Sequence, residues 1–235
     1  MPSDMPRLFL ARHGDTAWTD SRQRTGRTDL PLNERGEEHA RGLGGRLRQF
    51  SFARVFTSPL QRASKTCALA GFGEVAEVDA DLVEWDYGRY EGKLTRHILK
   101  EQPGWEMFRD GCPDGESPQD VAARADRFIA RVRRIEGDVL AFSSAHIIRM
   151  IAARWLGLPP EDGRFFFCRP ASVGVLAFSS AHIIRMIAAR WLGLAPGAGR
   201  FFFCRPASVG VLGFEHNSRE EPIIGSWNYV ARPPE

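Results

Sequence analysis

Leu8-Phe9-Leu10-Ala11 is a short apolar run that stops abruptly in Arg12-His13-Gly14-Asp15-Thr16. A continuous run of this length predicts a buried strand. The residues that follow are a cation, an imidazole and a flexible glycine. At the carboxyl end of a buried strand they stand where open α/β sheets bind ligands. Gly14 tolerates backbone angles that other residues avoid, so the loop can turn tightly around an anion. Asp15 and Thr16 add polar groups to fix it.

Composition narrows the class further. Of 235 residues, 43% are apolar and 26% charged, enough for a core in an ordinary soluble protein of one large or two small domains. The net charge of +3 comes without a Lys/Arg block, so nucleic acid is not an expected partner. A modest arginine excess suits a small anionic substrate. Met1 to Pro6 lacks the apolar centre of a signal peptide. No stretch reaches the roughly 18 apolar residues of a membrane span. A cytoplasmic protein without a membrane partner is expected. Cys67, Cys112, Cys168 and Cys204 show no Cys-x-x-Cys spacing. They read as reduced thiols, with no zinc site and no cofactor implied.

Along the chain, Trp18 to Leu32 reads as a polar loop over the site. Asn33 caps a helix to Gln49, with His39 on its face. Ala53 to Thr57 reads as a second strand, and Ser58-Pro59 as the start of a helix, since proline is favoured in a first turn. Arg62 lies one turn in. Free N–H groups at that helix start attract anions, and an arginine adds a bidentate phosphate donor. Val75 to Val78 reads as a third strand, Asp81 to Gly92 as an acidic, aromatic loop, and Leu94 to Lys100 as a short helix. Pro103 to Glu116 reads as irregular, with Trp105, Met107 and Phe108 packed over the site. Ser117-Pro118-Gln119-Asp120 is a strong helix start. Val121, Ala125, Phe128, Val132 and Ile135 mark the buried face that follows.

Four stretches in this order carry a family resemblance. They are Arg12-His13-Gly14-x-Thr16, Thr25-Gly26-Arg27-Thr28-Asp29-Leu30-Pro31-Leu32, Ser58-Pro59-Leu60-Gln61-Arg62-Ala63, and Leu82-Val83-Glu84-Trp85-Asp86-Tyr87-Gly88-Arg89-Tyr90-Glu91-Gly92. Together they resemble the histidine phosphatase superfamily, also called phosphoglycerate mutase-like, from about Arg7 to about Asn228. The resemblance implies a single domain with a three-layer α/β sandwich, a mostly parallel sheet and helices on both faces. It implies that His13 attacks phosphorus and becomes a phosphohistidine, that Arg12 and Arg62 hold the phosphoryl oxygens, and that Glu84 protonates the leaving group. A carboxyl in an aromatic-lined loop has reason for a raised pKa, which would suit that role. Thr19, Thr25 and Gly26 stand where the family contacts substrate, and Trp85, Tyr87 and Tyr90 would form an aromatic wall.

One departure matters. The family has a second catalytic histidine in a His-Gly-x-x-x-Arg pattern after a strand. Here Ser144 and Ala145 stand in that register, and His146 lies two residues later, before Arg149. Two extended residues span roughly 6–7 Å, so the exchange is not trivial. Either His146 reaches the phosphate from the helix start, or Ser144 donates a weaker hydrogen bond.

The same stretch is duplicated. Val139 to Gly174 recurs as Val175 to Gly210, two 36-residue units that differ only at Pro159/Ala195, Glu161/Gly197 and Asp162/Ala198. Ser180 and His182 therefore duplicate Ser144 and His146. Solenoids need about three or more repeats, so a tandem duplication within one domain is the better reading. Removing one 36-residue unit from the 235 leaves a 199-residue chain that still resembles a complete family member. One copy should take the normal sheet position. The supernumerary one extends the sheet, packs outside, or swaps between chains as a homodimer. Leu156 to Gly163 looks more family-typical than its counterpart and favours the first copy.

The expected function is a cofactor-independent phosphatase acting on small phosphomonoesters, sugar phosphates among them. The enzymatic rival is a phosphoglycerate mutase. The rival from another class is a catalytically impaired pseudoenzyme that binds phosphorylated ligands.

Overall fold

The computed structural model describes residues 7–176 and two further strands, 209–214 and 222–229. Strands β1 (Leu8–Arg12), β2 (Arg54–Thr57), β3 (Ala76–Val78), β4 (Val139–Ser143) and β5 (Val173–Leu176) form one sheet in the order β3-β2-β4-β1-β5. The first four run parallel to one another. β5 joins β1 antiparallel, with Leu8 opposite Leu176 and Ala11 opposite Val173.

Side-chain alternation along the central strands makes two cores. Leu8 and Leu10 of β1 and Val139 and Ala141 of β4 point to one face. There they meet Val121, Ala125 and Phe128 of helix α6 (Pro118–Val132) and Ile147 and Ile151 of helix α7 (Ala145–Trp155). Phe9, Ala11, Leu140 and Phe142 point to the other face, against Leu43 and Leu47 of α2 (Glu34–Leu47) and Cys67 of α3 (Gln61–Leu69). The result is the expected three-layer sandwich. Each fully buried Leu or Phe here contributes roughly 1.5–3 kcal/mol.

The parallel register brings the carboxyl ends of β1, β2 and β4 to one edge. Arg12 lies opposite Ser143, and Thr57 opposite Phe142. The next residues stay in that plane: His13 N–H donates to Ser143 O at 2.9 Å, and Ser58 N–H to Phe142 O at 2.9 Å.

Local structure departs from the sequence reading in four places. The loop after His13 opens with a short helix, α1 (Ala17–Ser21), because Thr16 and Thr19 form a reciprocal cap at its start. Helix α3 begins at Gln61 rather than Ser58. Ser58 still bonds the sheet and Leu60 is extended, so Pro59 lies before the helix. Pro103 to Glu116 holds a short helix, α5 (Met107–Asp110), and the acidic loop holds tight turns at Ala80–Leu82 and Gly88–Tyr90. The helix after that loop is α4 (Thr95–Glu101).

The sheet position is filled by the first copy of the duplicated unit, which supplies β4, α7 and the first half of β5; Val175 and Leu176, the first two residues of the second copy, complete that strand. Among the described residues of the second copy and beyond, β6 (Val209–Phe214) pairs antiparallel with β7 (Pro222–Tyr229). Ser180, His182, Cys204 and most of the second copy lie outside the described residues.

Candidate active site

The loop after β1 is locked by backbone contact. A Cβ on Gly14 would lie 2.3 Å from the Gly36 carbonyl oxygen, so only glycine fits against α2. Gly14 N–H donates to Thr66 Oγ1 at 3.0 Å, which ties the loop to α3 as well. Asp15 beside it is buried, and accepts from His39 Nδ1 at 2.9 Å and Arg35 at 3.0 Å. His39 thus braces the loop from the helix face.

His13 is 3% exposed. Its Nδ1 lies 2.7 Å from Gly14 O, which places the proton on Nδ1 and leaves the Nε2 lone pair free. Burial, then the charges of Arg12 and Arg62, push its pKa down to about 3. The ring is therefore neutral, as a nitrogen nucleophile must be.

Arg62 has no exposed surface. Its NH1 donates to Thr28 O at 2.9 Å, and its NH2 to Thr25 O at 3.2 Å and Gly26 O at 2.7 Å. Its Nε donates to Ser144 Oγ at 3.3 Å. One guanidinium thus fastens the 25–28 loop over the strand ends. Gly26 is required there by space: a Cβ would lie 2.5 Å from both Trp85 O and a Glu91 oxygen. Glu91 closes the loop from below by accepting from Gly26 N–H and Thr28 N–H. Arg12 reaches the Cys168 carbonyl with NH1, while its Nε has no acceptor among the described residues.

Glu84 is 3% exposed and caps α7 from across the site. Oε1 accepts from Trp85 N–H and Ile147 N–H, both at 2.9 Å, and Oε2 from His146 N–H at 3.0 Å. Burial pushes the carboxyl up. The His146 side chain and the backbone N–H groups of His146 and Trp85 outweigh it, and hold the group well below the usual carboxylate range. This overturns the expectation of a raised pKa. The helix start supplies donors that the aromatic composition of the loop did not reveal.

Ser144, fully buried, accepts from Arg62 Nε at 3.3 Å. His146 lies to one side of it. Its Nδ1 is 2.6 Å from the Tyr87 hydroxyl and its Nε2 is 3.3 Å from Arg24 NH1. Burial keeps the imidazole neutral at pH 7.

The remaining expected site residues have intramolecular partners. Thr19 uses its hydroxyl within the α1 cap, donating to Thr16 O and accepting from Thr16 N–H. Thr25 Oγ1 donates to Gln23 O, and its carbonyl serves Arg62. Of the proposed aromatic wall, Trp85 and Tyr90 belong to the core, bonding Glu116 O and Gln102, and only Tyr87 turns its hydroxyl to a site histidine. Trp105, Met107 and Phe108 do pack beside the site, around Arg24 and His146. The sequence reading missed Arg24, which has no motif, and Glu91, whose place at the end of the Tyr-Glu-Gly stretch was the available signal.

The depressed histidines make stability depend on acid. The unfolded chain takes up a histidine proton near pH 6.5, whereas folded His13 does so only near pH 3. Stability should therefore fall as pH drops from about 6.5 towards 3. One such group costs about 1.4 kcal/mol per pH unit. His146 acts in the same direction over the upper part of that range. Glu84 adds stability above its unfolded range, lost only in stronger acid. Urea midpoints measured between pH 7 and 4 should decline steeply, and His13→Asn should flatten the slope. A flat wild-type profile would contradict a neutral, buried His13.

Comparison with known proteins agrees with this geometry. The family model described as histidine phosphatase superfamily (branch 1) matches residues 8–180. The chain is 40% identical over 191 residues to a sedoheptulose 1,7-bisphosphatase of Saccharomyces cerevisiae, covering 67% of this chain and 70% of that one. It is 39% identical over 173 residues to an acid phosphatase of Mycobacterium tuberculosis, covering 72% and 85%. A solved structure of a Mycobacterium tuberculosis open reading frame product superimposes with a TM-score of 0.72 at 38% identity, over 74% of this chain and 92% of that one. The fold, the motif order and these matches agree: the chain belongs to the histidine phosphatase superfamily.

Proposed function

We propose that the protein is a phosphatase that hydrolyses small phosphomonoesters, sugar phosphates among them, through a phosphohistidine on His13. One observation carries this reading: a buried, neutral imidazole with its Nε2 lone pair free, close enough to Arg12 and Arg62 to feel both charges. Nε2 attacks phosphorus and the ester oxygen leaves with the bonding pair. The ring becomes a phosphorylated cation, with its Nδ1 proton still held by Gly14 O. Water then attacks phosphorus and Nε2 leaves, regenerating neutral His13 and inorganic phosphate. Arg12 and Arg62 neutralise the phosphoryl oxygens throughout.

The leaving oxygen needs a proton unless it is already a good leaving group. Glu84 is ionised, and Ser144 replaces the family histidine, so neither supplies that proton at neutral pH. Aryl phosphates should thus outpace alkyl phosphates. The names of the relatives, a sugar bisphosphatase and an acid phosphatase, support the substrate class.

Ser144 also favours a second reading, a phospho-ligand binder with little turnover. Incubation with para-nitrophenyl phosphate separates the two. Release of inorganic phosphate, with an acid-labile phosphate on the His13 peptide, supports the enzyme. Binding of the ester without release or phosphoprotein rejects the enzyme in favour of the binder.

A further inference from the structure

Arg24 is held in place by its backbone, and its side chain meets no carboxylate among the described residues. Its N–H donates to Lys93 O at 3.0 Å and its carbonyl accepts from Gly92 N–H at 2.9 Å. The guanidinium, half-buried, reaches His146 Nε2 at 3.3 Å, Met107 Sδ at 3.6 Å and Thr95 Oγ1 at 3.0 Å. It lies 5.3 Å from the Trp105 ring and 5.8 Å from the Tyr87 ring. Its Nε is shielded from solvent with no acceptor among the described residues.

Every one of those neighbours is uncharged. Other arginines of the same fold have carboxylate partners, the exposed Arg27 with Asp86 and the largely buried Arg124 with Glu116. No described carboxylate pairs with Arg24. A guanidinium is always ionised. Aromatic faces compensate it by only about 0.5–2 kcal/mol, whereas an anion adds charge-assisted, bidentate hydrogen bonds.

The position is as informative as the charge. His146 bridges Arg24 to the catalytic end of the site, since its backbone N–H donates to Glu84 and its ring meets Tyr87. Arg62 bonds Ser144 at the start of α7 and Arg24 bonds His146 two residues on, so the two guanidiniums meet the same helix start.

We propose that Arg24 is a specificity-determining residue that binds a second anionic group, phosphate or carboxylate, at the far end of the substrate. This rests on the phosphomonoester reading above, and the test separates the two. Three probes are compared: fructose 1,6-bisphosphate, 3-phosphoglycerate, and para-nitrophenyl phosphate, which has no second anion. For each, kcat/KM and a calorimetric Kd are measured on the wild-type chain and on Arg24→Met, Arg24→Gln and Arg24→Lys.

The neutral variants should lower the preference for the doubly anionic probes over the aryl phosphate by at least tenfold, through KM rather than kcat. Lysine should restore part of it. The larger fall, on the bisphosphate or on the phosphocarboxylate, identifies the anion. Should no probe release phosphate, the phosphatase reading fails, and the Kd ratios still decide Arg24. A preference unchanged in both neutral variants overturns the proposal. So does an equal loss on all three probes, which would make Arg24 a support for His146 alone, and so does failure of the wild type to bind either doubly anionic probe.

Discussion

Replacing His13 by alanine is expected to reduce aryl phosphate turnover by at least about 10⁴-fold, the scale set by loss of a nucleophile. Among the described residues the side chain has one polar tie, Nδ1 to Gly14 O, and its backbone N–H stays bonded to Ser143 O in the variant. The fold should therefore survive, with a small cavity beside Arg12. Because the variant also loses a buried base, its urea midpoint at pH 4.5 should fall less from the neutral value than that of the wild type. Phosphate release and midpoint are read on the same preparation. Full turnover by the alanine variant would remove His13 from the chemistry, whatever its geometry.

The second large effect runs the other way. Ser144→His combined with Ala145→Gly should raise hydrolysis of alkyl phosphates by about 10²-fold, the lower end of what a positioned general acid contributes. Ser144 sits beside Arg62 at the start of α7, and Ser143 before it is fixed by its hydroxyl on Leu82 O at 2.6 Å. An imidazole there stands beside Arg62, and the bound phosphoryl group supplies the negative charge that lets it hold a proton. It must displace buried neighbours, so a stability loss of about 1–3 kcal/mol is expected. The gain should be much smaller on para-nitrophenyl phosphate, whose leaving group needs no proton. Equal gains on both substrates, or none, would mean that the missing proton donor does not limit the site.

Much of this was legible in the sequence because it rests on short-range patterns. The apolar run of β1, the Ser-Pro start of α6 and the strand-plus-histidine order each depend on neighbours in the chain. Harder to read was anything decided by a partner far along it. Glu84 is ionised because His146 and Ile147, 62 and 63 residues later, point two N–H groups at it. Arg62 read as a phosphate donor alone, yet it also donates to three carbonyls of the 25–28 loop. Arg24 lacked any motif, since its meaning lies in the carboxylate it does not meet.

The antiparallel place beside β1 has a consequence for how the chain reaches this fold. β5 holds it with Val173-Gly174-Val175-Leu176, and β6 carries the same four residues as Val209-Gly210-Val211-Leu212. Thirty-six more residues of connecting chain alter the closure entropy by only a few tenths of a kcal/mol. β6 therefore offers β1 the same four residues as a competitor for the place that β5 holds, although in the folded chain it pairs with β7. Refolding from urea should show two phases, merging into one in a chain that lacks residues 175–210. Two phases would place the effect of the repeat on kinetics, as competing routes to the native sheet, and a single phase in both chains would reject it.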